Sequence, residues 1–455
     1  MKKKFLFLII SILLFTLVAC TPPSDIEIND RVEKIEENAK VVEMWSMDFE
    51  EWENRINIKQ RMDFNEDLTD GLQLSQTFVD DNNFWDLIRS ARETGNVPDI
   101  YMVSYGNLYE EIKNGNIIDL SDYLPKSSFD DLTDIAREAI TFDGKHYGYP
   151  INMEPSTLVF YRKDLLNQYA GTTKMPLKWD DFLTLLEMVN NGISESGTKG
   201  LYAFDVPKGI ALGWASWGLQ ISSTGGLAIT DDWTTSRLNE PGFKQLAELW
   251  YSLYSNRYVP LSSGNYNEII NDLCLGKLVM TTAGSYSVPT IVNDYPELID
   301  KIGIAEMPTF SGNKSLVNAT NGGWVYVISK ECEDVEAAVK VLEYLVAGED
   351  TTRNMEYFES VYFSKGSPRK SVAELIEKQS SKQDKIPESW IDIINEVAAK
   401  SVMEPIYPWD ISIAVQAMLE NVILGNDIDS EISKCDTRVK EVIVNNNLAN
   451  NNPRN

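Results

Sequence analysis

The feature that most constrains the fold of this 455-residue chain is a repeated alternation of strand-like and helical patterns. β-Branched and aromatic runs such as VVEMWSM (41–47) and GGWVYVIS (322–329) alternate with amphipathic segments such as FWDLIRSARETG (84–95). Because such alternation packs apolar strands between layers of helices, it predicts an α/β protein. The length is sufficient for two or three domains of ordinary size.

The first twenty residues, MKKKFLFLIISILLFTLVAC, carry an export pattern. Three lysines precede fifteen apolar or small residues, a run too short for a bilayer span of roughly 20 residues and typical of a secretory signal. The ending LVAC resembles a bacterial lipobox, which implies cleavage after Ala19 and lipidation of Cys20. An ordinary export signal and an uncleaved anchor are the alternatives. We expect a signal peptide over 1–19, then a lipidated cysteine and tether over 20–40.

The charge balance excludes one class of partner. The formal net charge is −28, and the acidic residues are spread along the chain. Because this surface repels phosphate backbones, we expect no nucleic-acid partner. No other stretch has the length of a membrane span, so contact with a membrane is expected through the lipid anchor only.

Catalytic and metal-binding signatures are missing from the sequence. His146 is the only histidine, and Cys274, Cys332 and Cys435 are far apart without a C-x-x-C spacing, so neither a metal nor a cofactor is expected. A single disulfide among these cysteines stays open. The chain has no G-x-S-x-G, Walker or G-x-G-x-x-G motif. A glycosidase-type pair of carboxylates is not indicated, although residue types alone leave it open.

Aromatic residues at the ends of elements give the strongest lead to function. The chain has 11 tryptophans, and several lie at strand ends or in glycine-rich loops. Sugar rings stack on flat aromatic side chains, and sugar hydroxyls hydrogen-bond to Asp, Glu and Asn. For any single aromatic, a place in the core explains its position equally well. The candidate ligand-binding residues are Trp45, Asp48, Asn152, Glu154, Trp214, Trp217, Tyr286, Trp324, Trp409 and Asp410.

The order of several motifs resembles one family. The pieces are GNVPDIYMV, NGNIIDLSDYL, DGKHYGYPINMEPSTLVFYRKDLL, MPLKWDDF, LCLGKLVMTTAGSY, GIAEMPTF and NGGWVYVISKECEDVEAAVKVLEYL. Their sequence is similar to that of the family 1 extracellular solute-binding proteins of ABC importers, the maltose-binding-protein family. The resemblance covers nearly all of the mature chain. It implies a two-lobed, type II periplasmic-binding-protein-like fold with three interlobe crossings and a ligand cleft between the lobes, which hinge motion closes.

The resemblance also implies a division of the chain. We expect the crossings near Met153, Met307 and Gly348. The expected segments are an N-terminal lobe of 41–152 plus 308–348, a C-terminal lobe of 153–307 plus 349–445, and a disordered tail of 446–455.

The same resemblance assigns roles to individual candidates. Glu154 matches an acid in the hinge region that hydrogen-bonds sugar, and Tyr286 matches an aromatic that stacks on it. In GWASWG, Trp217 aligns better than Trp214 with an aromatic cluster of the family. Trp45 and its neighbour Asp48 lie at the end of the first strand, where the family commonly contacts ligand.

Other positions match less closely. Trp409 and Asp410 lie near a late stacking tryptophan with a register offset of about three residues, and Trp324 is supported by position only. The acid and lysine that follow the first strand in the family are replaced here by SMDFEEWE, which has no lysine. The identity of the sugar therefore stays open.

We thus expect a monomeric binding protein that captures a sugar or oligosaccharide and delivers it to ABC permease subunits, without chemistry of its own. We expect it at the cell envelope, lipid-anchored on the outer face of the cytoplasmic membrane or in the periplasm. The alternatives are binding of a non-sugar solute, a secreted polysaccharide-active enzyme that uses paired carboxylates, and a sensor or adhesin ectodomain with the same cleft.

Overall fold

The computed structural model describes residues 38–67, 71–207, 215–262 and 268–453. The predicted signal peptide, the predicted lipidation site Cys20 and nearly all of the predicted tether lie outside the described residues, and so does Trp214.

The strands of the described chain are short, apart from the first two. They are β1 (Lys40–Asp48), β2 (Leu72–Asp80), β3 (Ile100–Ser104), β4 (Thr141–Phe142), β5 (Lys145–His146), β6 (Tyr149–Pro150), β7 (Glu154–Pro155), β8 (Leu158–Arg162), β9 (Met280–Ala283), β10 (Ile302–Glu306), β11 (Thr320–Gly322), β12 (Trp324–Ile328) and β13 (Val402–Met403).

Helices connect and cover these strands. They are α1 (Glu51–Asp67), α2 (Asp81–Thr94), α3 (Tyr105–Lys113), α4 (Lys126–Asp130), α5 (Asp134–Ala139), α6 (Lys163–Ala170), α7 (Trp179–Ser196), α8 (Trp217–Thr224), α9 (Pro241–Ser255), α10 (Ile269–Cys274), α11 (Ser287–Asp294), α12 (Val335–Leu342), α13 (Thr352–Ser360), α14 (Lys370–Ser380), α15 (Glu388–Lys400), α16 (Asp410–Ile423) and α17 (Ile428–Asn445), with 3₁₀ turns at Pro296–Lys301 and Leu448–Asn450 and a π-helical turn at Glu343–Ala347.

A five-stranded sheet in the order β2-β1-β3-β12-β6 organises the first lobe. β1 runs parallel to β2 and β3, whereas β12 runs antiparallel to β3 and β6. The central strand β3 is buried along nearly its whole length, as the apolar run IYMVS requires. The predicted strand over 41–47 is confirmed as β1, whose parallel partners direct their carboxyl ends to the same edge of the sheet.

A three-stranded sheet in the order β10-β8-β9 organises the second lobe. Successive residues of β8 point to opposite faces of this sheet. Val159 accordingly packs in one buried apolar cluster with Trp250, while Leu158 and Phe160 pack in another with Trp390. The sheet is therefore covered by side chains on both faces, as predicted for an α/β layer structure.

A third, short sheet in the order β13-β11-β7 lies where the chain passes between the two lobes. β7 follows β6 of the first sheet after three residues, and β11 precedes β12 of the first sheet with only Gly323 between them. β7 and β11 pair antiparallel. We propose that two passages between the lobes run side by side here, at 151–153 and at Gly323.

The buried clusters bear on the predicted division of the chain. Met355, Phe358 and Val372 pack in the first lobe's core with β1, β3 and β12, whereas Met307 and Ala319 pack with the second lobe. Sequence patterns do not reveal which core an amphipathic helix covers. We propose that the second crossing lies at Gly323 instead of near Met307, and that the third follows α14 instead of lying near Gly348.

The C-terminal tail, expected to be disordered from its asparagine repeats, is folded against the protein as far as residue 453. Leu448 is buried. The hydroxyl of Tyr109 donates to the main-chain oxygen of Asn451 at 2.6 Å, and Asn452 Nδ2 donates to the main-chain oxygen of Asp231 at 2.7 Å. The asparagines that suggested low complexity therefore contribute specific hydrogen bonds.

Two further expectations concern cysteines and membrane spans. Cys274, Cys332 and Cys435 are free thiols, and Cys274 is buried on α10. Among the described residues, no helix combines the length and the apolar character that a membrane crossing needs.

Candidate functional site

The carboxyl end of β1 carries two of the predicted site residues. Trp45 is partly buried against the first core, and Asp48 is exposed at the last position of the strand. Asn54 Nδ2 donates to Asp48 Oδ1 at 2.5 Å, so the start of α1 orients this carboxylate. Asp48 and Phe49 line an open depression of about 600 Å³. A strand end bordered by a loop lets a ligand reach side chains without disturbing the core.

Asn152 and Trp324 meet where the two passages run side by side. Gly323 has a φ of +137°, and a Cβ there would lie 2.3 Å from the main-chain oxygen of Asn152, so this approach requires glycine. Asn152 Oδ1 accepts from the main-chain N–H of Trp324 at 3.2 Å, and Asn152 Nδ2 donates to the hydroxyl of Tyr357 at 2.7 Å. The Asn152 amide is thus engaged in holding the passages together.

Glu154, the first residue of β7, lies in a buried group of charges. Its Oε2 is 3.5 Å from Nζ of Lys365. The same Nζ donates to Glu53 Oε1 at 3.1 Å and Oε2 at 3.3 Å. We call Glu53, Glu154 and Lys365 the Glu–Lys–Glu cluster. All three are buried, with Lys365 3% exposed, so two negative charges and one positive charge lie together beside the first passage.

The two carboxylates of this cluster differ in their hydrogen bonds. Glu53 accepts from Lys365 and, at 2.7 Å, from the hydroxyl of Tyr357. Within the described part of the chain, Glu154 Oε2 accepts no hydrogen bond although it is buried. Because a buried carboxylate oxygen without a donor is costly, Glu154 has acceptor capacity available to a bound molecule.

The surroundings of the cluster determine its protonation. Burial raises the pKa of the Glu154 carboxyl, while Lys365 acts to lower it and Glu53 to raise it. Burial disfavours the charged form of Lys365, but Glu154, Glu53 and Tyr357 together raise the pKa of its ammonium well above the ordinary value. Lys365 therefore stays charged, and the charge of Glu154 depends on it.

Aromatic rings cover the first-lobe side of the cluster. The ring centroids of Phe49 and Trp324 are 5.2 Å apart, with a tilt of 56°. Lys365 Nζ lies 5.7 Å from the centroid of Phe49 and 5.9 Å from that of Tyr357, distances at which a cation is attracted to the ring face. Trp324 remains partly exposed.

Tyr286 approaches the cluster from the second lobe. The main-chain N–H of its neighbour Ser285 donates to the main-chain oxygen of Pro155 at 3.1 Å, which fixes this turn beside β7. Burial raises the pKa of the Tyr286 hydroxyl, with Glu154 and Lys365 as the charges that act on it. The turn that carries Tyr286 therefore lies beside the strand that begins with Glu154.

Trp217 and Trp409 form a separate group in the second lobe. Their ring centroids are 5.6 Å apart at 83°, an edge-to-face contact. Trp217 is 2% exposed, and its Nε1 donates to Ser412 Oγ at 3.1 Å. Trp409 is partly exposed, and the next residue, Asp410, is exposed. The sequence favoured Trp217 as the ligand contact, but in the structure Trp217 supports Trp409, which keeps an accessible surface.

Sequence reasoning missed four residues of the site, namely Phe49, Glu53, Tyr357 and Lys365. Glu53 and Lys365 are far apart in the chain, and neither lies in a motif. The only available signal was local: SMDFEEWE places Phe49 and Glu53 directly after the strand that carries Trp45.

Metal ligands were also sought in the structure. Across residues 38–67, 71–207, 215–262 and 268–453, no group of three or more His, Cys, Asp and Glu side chains is arranged to hold a metal ion.

The fold and the buried polar passage between two lobes define an α/β binding protein of the two-lobed, periplasmic type. The sequence profile of the bacterial extracellular solute-binding proteins matches residues 62–387, and the chain belongs to this family.

Several solved structures share the fold. The GacH receptor of Streptomyces glaucescens GLA.O, solved unliganded and with acarbose, is 16% identical with a TM-score of 0.74, over 89% of this chain and 98% of that one. A solute-binding protein of an ABC transporter from Thermotoga lettingae, bound to α-D-tagatose, is 18% identical with a TM-score of 0.74, over 89% and 100%. The Thermus thermophilus maltotriose-binding protein, bound to maltotriose, is 16% identical with a TM-score of 0.71, over 88% and 100%.

Proposed function

We propose that the protein is an extracytoplasmic lipoprotein that binds a sugar or oligosaccharide between its lobes and delivers it to the permease of an ABC transporter. It performs no chemistry on the ligand and acts as a monomer. Family membership supports a solute-binding role outside the cytoplasm. Structures of the same fold in complex with acarbose, tagatose or maltotriose support a carbohydrate as the solute.

The observation that carries this proposal is Glu154. Its carboxylate is buried at the passage between lobes, and its Oε2 accepts no hydrogen bond from the described residues. A sugar hydroxyl would supply the missing donor, and such a bond to a charged group contributes about 1.5–3 kcal/mol.

The aromatic residues supply the second requirement of a sugar site. Tyr286 lies near enough to Glu154 to be affected by its charge, and Trp324 lies against Asn152 and Phe49. Trp45 and Trp409 keep partly accessible rings at the edge of each lobe. Aromatic faces of this kind stack on the apolar C–H face of a sugar ring.

We assign two sets of roles to the predicted residues. Asn152 and Trp217, whose polar groups are engaged within the protein, serve as supports. The proposed ligand contacts are Trp45, Asp48, Glu154, Tyr286, Trp324, Trp409 and Asp410, together with Trp214 on sequence grounds.

A thermal-shift screen against mono- and oligosaccharides, followed by calorimetry with each hit, tests the function. We expect at least one sugar to stabilise the wild type. Glu154→Gln and Trp409→Ala should each weaken its binding about tenfold to hundredfold, since one charged hydrogen bond or one stacking face is lost. Trp85→Ala is the matched control, because Trp85 is partly buried on α2 against Phe84.

Three outcomes would count against the proposal. A panel in which no sugar shifts the wild type would contradict carbohydrate binding. Wild-type affinity in both Glu154→Gln and Trp409→Ala would contradict the site. Conversion of a bound glycan by the pure protein would contradict the absence of catalysis.

The anchor needs its own test. Mass spectrometry of the mature protein from membranes should find a lipidated Cys20 as the first residue, and Cys20→Ser should release the protein from the membrane fraction. An unmodified N-terminus elsewhere would contradict lipidation.

A further inference from the structure

Lys365 carries a charge at a buried position, where a lysine is unexpected. It lies between α13 and α14, is 3% exposed, and is the one cation of the Glu–Lys–Glu cluster. A lysine is almost never buried to this degree unless it is paired, because its ammonium loses its hydration. The position therefore calls for a reason beyond packing.

The main chain holds Lys365 against the first passage. The N–H of Met153 donates to the oxygen of Gly366 at 2.9 Å, and the N–H of Gly366 donates to the oxygen of Met153 at 2.7 Å. Glu154 and Lys365, which adjoin this pair, are thus brought together by reciprocal backbone hydrogen bonds. The contact between their side chains is set by the fold and does not depend on a flexible surface loop.

Lys365 contacts Glu53 and Glu154 in different ways. Its Nζ donates hydrogen bonds to both carboxylate oxygens of Glu53, and the hydroxyl of Tyr357 donates to Oε1 of the same carboxylate. Toward Glu154 it offers a charge at 3.5 Å without a hydrogen bond. Glu154 is therefore partly neutralised while its acceptor positions stay available.

We propose that Lys365 is a positioning residue for ligand binding, which holds the Glu154 carboxylate charged and directed toward the ligand while its own hydrogen bonds go to Glu53. This inference rests on the proposed function, because it assigns Lys365 a task at that site. Lys365 itself touches Glu154 and Glu53; the ligand contact is made by Glu154.

The other groups that face Glu154 do not perform this task. They come from three elements: Glu53 from α1, Tyr357 from α13 and Tyr286 from the turn before α11. Glu53 is a like charge. A tyrosine side chain is never a cation, and because burial raises the pKa of both phenols, both stay neutral. Among the described residues that act on Glu154, Lys365 is the one cation.

The effects of burial and of Lys365 on the pKa of Glu154 predict how ligand affinity depends on pH. Burial raises the pKa of Glu154 and Lys365 opposes that rise, so loss of Lys365 raises this pKa further. A ligand that needs the carboxylate loses affinity as pH falls through the pKa of Glu154. Without Lys365, this loss begins at a higher pH.

The test is calorimetry of Lys365→Met with the sugar that binds the wild type, at several values of pH. We expect about tenfold to hundredfold weaker binding at neutral pH and an acid limb displaced to higher pH. In a Glu154→Gln background, Lys365→Met should add little and the acid limb should be absent. Lys400→Met is the control, since Lys400 pairs with the buried Glu306 in the second lobe.

A second measurement needs no ligand and separates this inference from the proposed function. The melting temperatures of Lys365→Met, Glu154→Gln and the double variant should be non-additive, with Glu154→Gln recovering part of the loss. If Lys365→Met does not fold, Lys365→Met combined with Glu53→Gln removes one charge of each sign and takes its place in both experiments.

The outcomes are distinct. If no sugar binds the wild type, the proposed function is wrong, and the melting temperatures alone decide whether Lys365 and Glu154 are coupled. If Lys365→Met binds with wild-type affinity and an unchanged pH profile, or if the melting losses are additive, the positioning role of Lys365 is overturned.

Discussion

Two clusters of lysine and glutamate, each containing a buried carboxylate, occupy different parts of the molecule, and they have opposite balances of charge. The Glu–Lys–Glu cluster at the first passage joins one lysine to two carboxylates. In the second lobe, Glu306 at the end of β10 pairs with Lys400 and, at 3.6 Å, with Lys314. We call this second group the Lys–Glu–Lys cluster.

The second cluster uses its polar groups to hold chain segments together. Asn318 Nδ2 donates to Glu306 Oε2 at 3.3 Å and to the main-chain oxygen of Met307 at 2.6 Å. Lys400 Nζ donates to the main-chain oxygen of Lys314 at 2.8 Å as well as to Glu306. The end of α15 is thereby joined to the loop after β10, and the positive charge is in excess.

The difference shows that burial of a charge does not by itself identify a ligand site. Both clusters contain a buried glutamate with one oxygen, Glu154 Oε2 or Glu306 Oε1, that accepts no hydrogen bond from the described chain. The cluster at the passage differs by its negative excess and its partly exposed aromatic neighbours, and these two properties fit a neutral, hydroxyl-bearing ligand. In the second lobe, Glu306 Oε2 accepts from Asn318 and Lys400 and the positive charge is in excess, which fits a structural role.

The largest effect expected from this comparison is on stability. Lys365→Met should lower the free energy of unfolding by about 3–5 kcal/mol, because two buried carboxylates lose their cation. Lys400→Met should cost less, because Lys314 and Asn318 still contact Glu306. Urea unfolding followed by circular dichroism measures both losses.

What tests the comparison is which of the two variants loses more free energy of unfolding. If Lys400→Met destabilises the chain as much as Lys365→Met, the two clusters have the same role and the contrast between them fails. Lys365→Arg adds a check, since a bulkier cation in this buried position should recover only part of the loss.

Sequence patterns predicted the fold better than the site. The strand β1 and the α/β layering follow from apolar runs of local periodicity, and the family motifs extend over most of the chain. Glu154 was identified because it matches an acid of the family that hydrogen-bonds sugar. In each case the signal lies within a few adjacent residues.

The parts that escaped prediction depend on contacts between distant segments. Glu53 and Lys365 carry no local sign of their pairing, and the sequence does not show that Trp217 is buried while Trp409 is partly exposed. The prediction of a disordered tail was wrong for a related reason. The asparagines of the tail form hydrogen bonds with Tyr109 and Asp231, which composition does not reveal. Long-range packing and main-chain partners decide such cases.

A second test compares the close approaches beside each cluster. A Cβ at Gly323 would lie 2.3 Å from the main-chain oxygen of Asn152, and a Cβ at Gly218 would lie 2.4 Å from that of Asn318. Only Gly323 also has a positive φ, of +137°. Gly323→Ala should therefore be more destabilising than Gly218→Ala, by about 1–3 kcal/mol of backbone strain.

Gly200 allows the cost of backbone strain to be measured without a steric clash. Gly200 has a φ of +75° and open space around it, so Gly200→Ala measures strain alone. We expect its loss, about 1 kcal/mol, to be smaller than that of Gly323→Ala. Equal losses for Gly323→Ala and Gly218→Ala in urea unfolding would show that backbone strain at the passage is negligible.

The smallest expected effect concerns the negative excess itself, which extends to Glu50. Burial raises the pKa of the Glu50 carboxyl, and Asp294, Glu53 and Asp48 raise it further. The folded chain therefore binds this proton more tightly than the unfolded chain does. It follows that the ionised Glu50 lowers stability, and that this penalty grows as pH rises through the raised pKa.

Glu50→Gln should consequently raise the melting temperature slightly at pH 7.5, and the gain should shrink as the pH is lowered through the raised pKa of the wild-type carboxyl toward the ordinary pKa of a glutamate. Differential scanning fluorimetry of both proteins over this range measures the gain. Glu110→Gln, at an exposed position of α3, is the control and should show no such dependence. A gain that stays constant with pH, or a loss at pH 7.5, would mean that the negative excess at the passage does not reach Glu50. The contrast with the Lys–Glu–Lys cluster would then be confined to the three charges beside β7.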